Sequence, residues 1–81
     1  MKLSELSYGS SARVVSVDGE ERITKRLMEM GVIPGIDVTV IRSAPFGGPL
    51  QIRLLGYKLA IRRNEAETIE IETPSDTQEN D

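Results

Sequence analysis

The stretch Arg26-Leu27-Met28-Glu29-Met30-Gly31-Val32-Ile33-Pro34-Gly35-Ile36-Asp37-Val38-Thr39-Val40 leaves the chain few ways to fold. Ile23, Leu27 and Met30 recur at i, i+4 and i+7, which sets them on one face of a helix. Gly31 follows, and a helix ends most easily in the left-handed conformation that a residue without a Cβ adopts freely. Ile33-Pro34-Gly35-Ile36 then reads as a type II turn, with proline fixing φ at the second position and glycine supplying positive φ at the third. From Ile36 the period falls to two, so that Ile36, Val38 and Val40 share one face of a strand. The order is helix, stop, tight turn, strand.

The remaining segments extend this into a mostly β chain. Leu3-Ser4-Glu5-Leu6 reads as a short turn that docks Leu3 and Leu6 on the body, and Ala12–Val17 as a first strand. Asp18 is placed to cap the helix, roughly Glu20–Met30, with Glu21 completing a capping box. The second strand spans about Ile36–Arg42, and two prolines fence two glycines in the loop Ser43–Pro49. Leu50–Leu55 and Tyr57–Arg62 read as strands separated by Gly56. Asn64-Glu65-Ala66 looks like one helical turn, and Thr68–Glu72 like a last strand burying Ile69 and Ile71. The expected fold is a small five-stranded barrel of SH3-like type, with one α-helix between strands one and two. A five-stranded OB barrel is the nearest alternative. Residues 1–72 form the expected domain, and Pro74 with the acidic residues Asp76, Glu79 and Asp81 marks the expected end of order in 73–81.

Composition removes whole classes of chemistry. The chain of 81 residues has no cysteine and no histidine, hence no disulfide, thiolate nucleophile, imidazole base or ordinary transition-metal site. Its carboxylates show no pairing with a nearby base or nucleophile, so no catalytic residue, cofactor site or metal site is assigned. Apolar runs are far too short for a membrane span, and the N-terminus has no signal-like apolar region, so a cytoplasmic protein is expected. The net charge of −3 arises in the tail; the body holds ten basic and ten acidic residues. A neutral body exerts no general pull on nucleic acid or anionic lipid. Arg42, Arg53, Arg62 and Arg63 fall on strands or at their ends and together would line a basic face. Only Tyr8, Phe46 and Tyr57 are available to stack on bases.

Four segments in series resemble one family. Arg26-Leu27-Met28-Glu29-Met30-Gly31-Val32-Ile33-Pro34-Gly35 resembles the signature R-L-x-x-[LM]-G-[hydrophobic]-x-P-G of the bacterial ferrous iron transport protein A (FeoA) family. Pro45-Phe46-Gly47-Gly48-Pro49-Leu50 is similar to its P-x-G-G-P segment. Gly56-Tyr57-Lys58-Leu59-Ala60-Ile61-Arg62 is similar to its G-x-x-[hydrophobic]-A-[hydrophobic]-R segment, and Glu65-Ala66-Glu67-Thr68-Ile69 to its [DE]-A-x-x-I ending. The match runs in order through about residues 3–72. The resemblance implies an SH3-like barrel and a cytosolic, non-enzymatic accessory protein of ferrous iron uptake. It implies as partner the membrane ferrous iron permease with a GTP-binding domain (FeoB). The same domain occurs fused to iron-dependent repressors, so a nucleic-acid-associated regulatory barrel is the alternative, and a weak carboxylate metal site ranks last.

The candidate partner-binding residues are Phe46, Met28, Arg26, Pro45 and Pro49. Phe46, between Pro45 and Gly47, either stands outward as an apolar anchor or folds back on the core. Met28 lies off the Ile23/Leu27/Met30 stripe and is either a soft contact for a partner or the edge of the core. Arg26 is expected to bond carbonyls at a turn or to pair with a carboxylate. A weak homo-oligomer formed by strand addition is open to a small barrel, but no strand singles itself out from sequence.

Overall fold

The computed structural model describes residues 1–73, and the expectation for the acidic tail from Pro74 lies outside them. Five antiparallel strands carry the fold: β1 (Ser11–Val17), β2 (Asp37–Ser43), β3 (Leu50–Leu54), β4 (Tyr57–Ile61) and β5 (Ile69–Glu72). Helix α1 (Glu21–Glu29) joins β1 to β2, and the one-turn helix α2 (Arg63–Ala66) joins β4 to β5. The sheet order is β4-β3-β2-β1-β5, with register shifts in β1 between Val14 and Ser16 and in β2 between Val40 and Arg42. Such irregularities sharpen the twist and bend a sheet around its own core. This is the curled architecture expected of an SH3-like barrel. Among the described residues no ladder joins β4 to β5, so the curled sheet keeps an outer strand at each end. A five-strand sheet this short spends its curvature on covering the core.

The concave face is apolar because the strands alternate. Ala12 and Val14, Val38 and Val40, Leu50, Ile52 and Leu54 turn inward, while Arg13, Thr39, Gln51 and Arg53 turn outward or lie half-covered. Leu3 and Leu6 plug one end of this core from a 3-10 turn over Leu3–Glu5, where Glu5 Oε1 accepts the Lys2 N–H at 2.8 Å. Helix α1 adds Leu27, fully buried, with Ile23 and Met30 half-buried beside it.

The end of α1 is fixed more tightly than its start. Gly31 N–H donates to Met28 O at 3.0 Å and Val32 N–H to Leu27 O at 3.0 Å, with Gly31 at φ +103°. This is a Schellman cap, and its apolar partners Leu27 and Val32 are both fully buried. The next turn is tied to β1: Gly35 (φ +98°) donates to Val14 O at 2.8 Å, and Val14 N–H donates to Ile36 O at 2.9 Å. At the start, the expected Asp18 cap is absent. Glu20 is the capping residue without a side-chain cap bond, and Asp18 Oδ2 accepts from Ser16 Oγ at 2.6 Å. Asp18 belongs to the strand end, where its own neighbour satisfies it first, and Thr24 Oγ1 reaches back to Gly19 O instead.

The third strand stops one residue short of the expected Leu55. Leu55 leaves the ladder at φ +50° with Gly56 at +85°, and it is largely exposed. Two consecutive left-handed residues between paired Leu54 and Tyr57 make a two-residue hairpin of the type that matches strand twist.

Candidate functional site

The predicted contact residues fall in three places. Met28 lies in a groove of about 950 Å³ between α1 and the end of β1, lined also by Val17, Thr24 and Ile33. Met28 and Ile33 are each roughly two-fifths exposed, too much for core side chains and enough for an apolar floor open to solvent. Asp18, Glu21 and Glu29 rim the groove against one cation, Lys25. The groove is therefore apolar below and acidic above. Sequence places Ile33 in a turn and Val17 on a strand; Val17 is half-buried, and nothing in the spacing of Ile33 marks it as exposed.

Phe46 is fully exposed at the tip of the β2–β3 loop and does not fold back on the core. Its backbone is left-handed at φ 58°, followed by Gly47 at φ 76°, and Gly48 N–H closes the turn on Pro45 O at 3.2 Å. Left-handed backbone at a non-glycine residue carries a cost, here at a side chain with no burial to offset it. The base of this loop is held by Arg63, whose Nη2 donates to Ser43 Oγ at 3.2 Å and Ala44 O at 3.4 Å. Pro49 lines a second groove with Gly47, Gly48 and residues 60–64, whereas Met28 lines the first. The structure brings Pro45, Phe46 and Pro49 together and leaves Met28 in a separate groove.

Arg26 pairs with a carboxylate. Its Nη2 forms an ion pair with Glu65 Oε2, while Glu65 Oε1 accepts the Arg62 N–H at 2.8 Å. The Glu65 side chain is 4% exposed and that of Arg26 is 53% exposed, so one partner is buried and the other reaches water. A buried carboxylate needs both a counter-charge and donors, and Glu65 has them in Arg26 and the α2 N-terminus. The pair fastens α1 to α2 across the molecule. Sequence reasoning placed Glu65 only within a helical turn; its burial depends on a partner distant in the chain.

The four arginines expected on one basic face fall into two pairs: Arg42 and Arg53 share the outer sheet face, and Arg62 and Arg63 line the second groove. Arg63 is turned to the loop base, Arg53 lies on the outer sheet face opposite Thr39 and Lys58, and Arg42 sits opposite Gln51. Among the described residues no group of three or more acidic, histidine or cysteine side chains is placed to hold a metal ion. Nor, among the described residues, is any helix long and apolar enough to cross a membrane.

Comparison with known proteins supplies the family context. The family model of the FeoA domain matches residues 1–73. The chain is 40% identical over 72 residues to the Fe(2+) transport protein A/Fe(2+) transporter FeoB fusion protein of Porphyromonas gingivalis, covering 89% of this chain and 8% of that protein. It therefore spans a small fraction of that relative's length. Among solved structures, the FeoA protein from Chlorobium tepidum is 43% identical with a TM-score of 0.84, over 91% of this chain and 70% of that one. The FeoA of Stenotrophomonas maltophilia, complexed with zinc and described as a prokaryotic SH3 domain protein, is 33% identical with a TM-score of 0.79, over 89% of each chain.

Proposed function

We propose a function from the premise that this chain belongs to the FeoA domain family: it is a cytoplasmic, non-enzymatic module that binds the ferrous iron permease FeoB and modulates it. The observation that carries the reading is the Met28/Ile33 groove, an exposed apolar floor with an acidic rim on an otherwise well-packed small domain. Its occupant is an apolar segment of the permease with basic flanks, complementary to Asp18, Glu21 and Glu29. The fusion of the two proteins in the Porphyromonas gingivalis relative supports association, since a covalent link keeps both at high effective concentration. Phe46, Pro45 and Pro49 offer a second, smaller contact. Modulation follows only if two states of the permease bind the module with different affinity.

The test is a backbone amide titration with the soluble GTP-binding domain of the permease, with and without nucleotide. Shifts along α1 and at Ile33, abolished by Met28→Glu, support the groove. Shifts confined to the loop around Phe46, lost in Phe46→Ala, move the contact to that loop. The same titration against the detergent-solubilised whole permease, if it too is silent, removes the reading.

A further inference from the structure

The sheet ends in two outer strands, and only one is covered. Along β5, Ile71 N–H donates to Met1 O at 2.8 Å and Lys2 bridges Glu70, so the N-terminal segment occupies that edge. Along β4 the ladder to β3 is complete, and among the described residues no backbone group bonds to its outer side. The hairpin fixes which groups face outward. A two-residue turn makes Leu54 and Tyr57 a hydrogen-bonded pair, and pairs alternate along an antiparallel ladder. Tyr57, Leu59 and Ile61 therefore direct their N–H and C=O groups to β3. Lys58 and Ala60 present theirs to the open edge.

We infer that β4 pairs antiparallel with β4 of a second copy, about a two-fold axis through Leu59. Register singles out this arrangement. With Leu59 facing Leu59 of the second copy, Lys58 lies opposite Ala60 and Ala60 opposite Lys58, so all four outward residues engage, two from each chain. Shifting the register by two residues sets Lys58 against Lys58 or Ala60 against Ala60 and engages only half of them; the first also opposes like charges. In the chosen register, the apolar residues Tyr57 and Ile61 also face each other. Tyr57 of the second copy then meets Ile61 at the mouth of the groove lined by Gly47, Gly48, Pro49, Ala60 and Arg62. The pairing is isologous and consumes the one open edge found among the described residues of each chain, so assembly stops at two. A contact between two five-residue strands is small, so the dimer is weak and is sought up to millimolar concentration.

Sedimentation equilibrium between 20 µM and 2 mM tests this on the intact chain. Ala60→Pro removes an outward N–H and no bond to β3, and proline is tolerated on an edge strand. It is expected to weaken the dimer at least tenfold while amide spectra keep the β3–β4 ladder. Ala60→Lys, a second variant that needs no proline geometry, sets two cations opposite each other and weakens the dimer at least threefold. Ala60→Glu sets a carboxylate opposite Lys58 of the second copy and tightens the dimer severalfold at low salt. Mixed isotope-labelled and unlabelled copies show cross-chain Leu59 methyl contacts. A chain monomeric at 2 mM overturns the inference, including one whose β4 amides shift only with a different protein. A dimer indifferent to both Ala60→Pro and Ala60→Lys overturns it equally. None of these readouts involves the Met28 groove.

Discussion

Replacing Arg26 by alanine leaves the Glu65 carboxylate buried without its counter-charge, and the cost can be bracketed from exposure. Removing one partner of a fully buried pair costs about 3–5 kcal/mol, whereas an exposed pair is worth about 0–1 kcal/mol. With Glu65 buried and Arg26 half exposed, water reaches one side of the pair, and the expected loss is about 2 kcal/mol. Alanine is the best helix former, so α1 itself loses nothing by the exchange. For a domain of this size, about 2 kcal/mol lowers Tm by about 8–16 °C. Urea unfolding would show a lower midpoint at unchanged m. The decisive measurement is a double-mutant cycle with Glu65→Gln, which keeps an oxygen for the Arg62 N–H and removes the charge. The double variant should be no less stable than the worse single one, giving a coupling of about 1–2 kcal/mol. Additive losses, or an Arg26→Ala variant within about 0.5 kcal/mol of the parent, would refute the assignment of Arg26 as the counter-charge of Glu65.

Four further outcomes are expected. Gly31→Ala forces a side chain into left-handed backbone and brings its Cβ within 2.7 Å of Tyr57 Oη, so it should destabilise by about 1–3 kcal/mol in the same urea assay. Leu55→Asn, at φ 50° in the hairpin turn, should stabilise by about 0.5–1 kcal/mol, because asparagine adopts that conformation with less strain; calorimetry checks this. Phe46→Ala should leave stability within about 0.5 kcal/mol, as its side chain buries nothing, so any loss of permease binding reads directly as contact. Glu70 is held below the usual carboxylate range by hydrogen bonds from the N-terminal ammonium and then Lys2. A carboxylate with a lowered folded pKa contributes stability above its ordinary range and loses it as pH falls through the lowered value. Acid titration of Tm should therefore fall less steeply in Glu70→Gln than in the parent below about pH 4.3.

Local signals carried most of the fold. The stripe Ile23, Leu27 and Met30, the stop at Gly31 and the turn at Pro34-Gly35 are each decided within a few residues, and the structure places helix, cap and turn there. Alternation likewise located the later strands, since a sheet with one buried face imposes period two, whereas β1, with valines on both faces, shows it only weakly. What failed was competition between local rules. Leu55 is apolar and was expected at the end of β3, but a two-residue turn needs it more than the strand does. Asp18 has the capping pattern, but Ser16 reaches it first. The site was less legible because it depends on pairings between distant residues: Arg26 with Glu65, and the end of β1 at Val17 with Met28 across the groove. Neither the burial of Glu65 nor the open side of β4 follows from any window of neighbours; both appear only once the strand order exists.

The bond from Tyr57 Oη to Met30 O joins the β3–β4 hairpin to the last turn of α1. The chain has no tryptophan and two tyrosines, and Tyr8 stands mostly in solvent. Ultraviolet absorbance and fluorescence of the native protein thus carry one solvent-like signal and one signal from a phenol bonded to a carbonyl. Any event that pries α1 from the hairpin, whether a partner entering beside Met28 or the first step of unfolding, changes the second alone. The molecule carries its own optical gauge of that separation, and Tyr8→Phe would leave it reading without background.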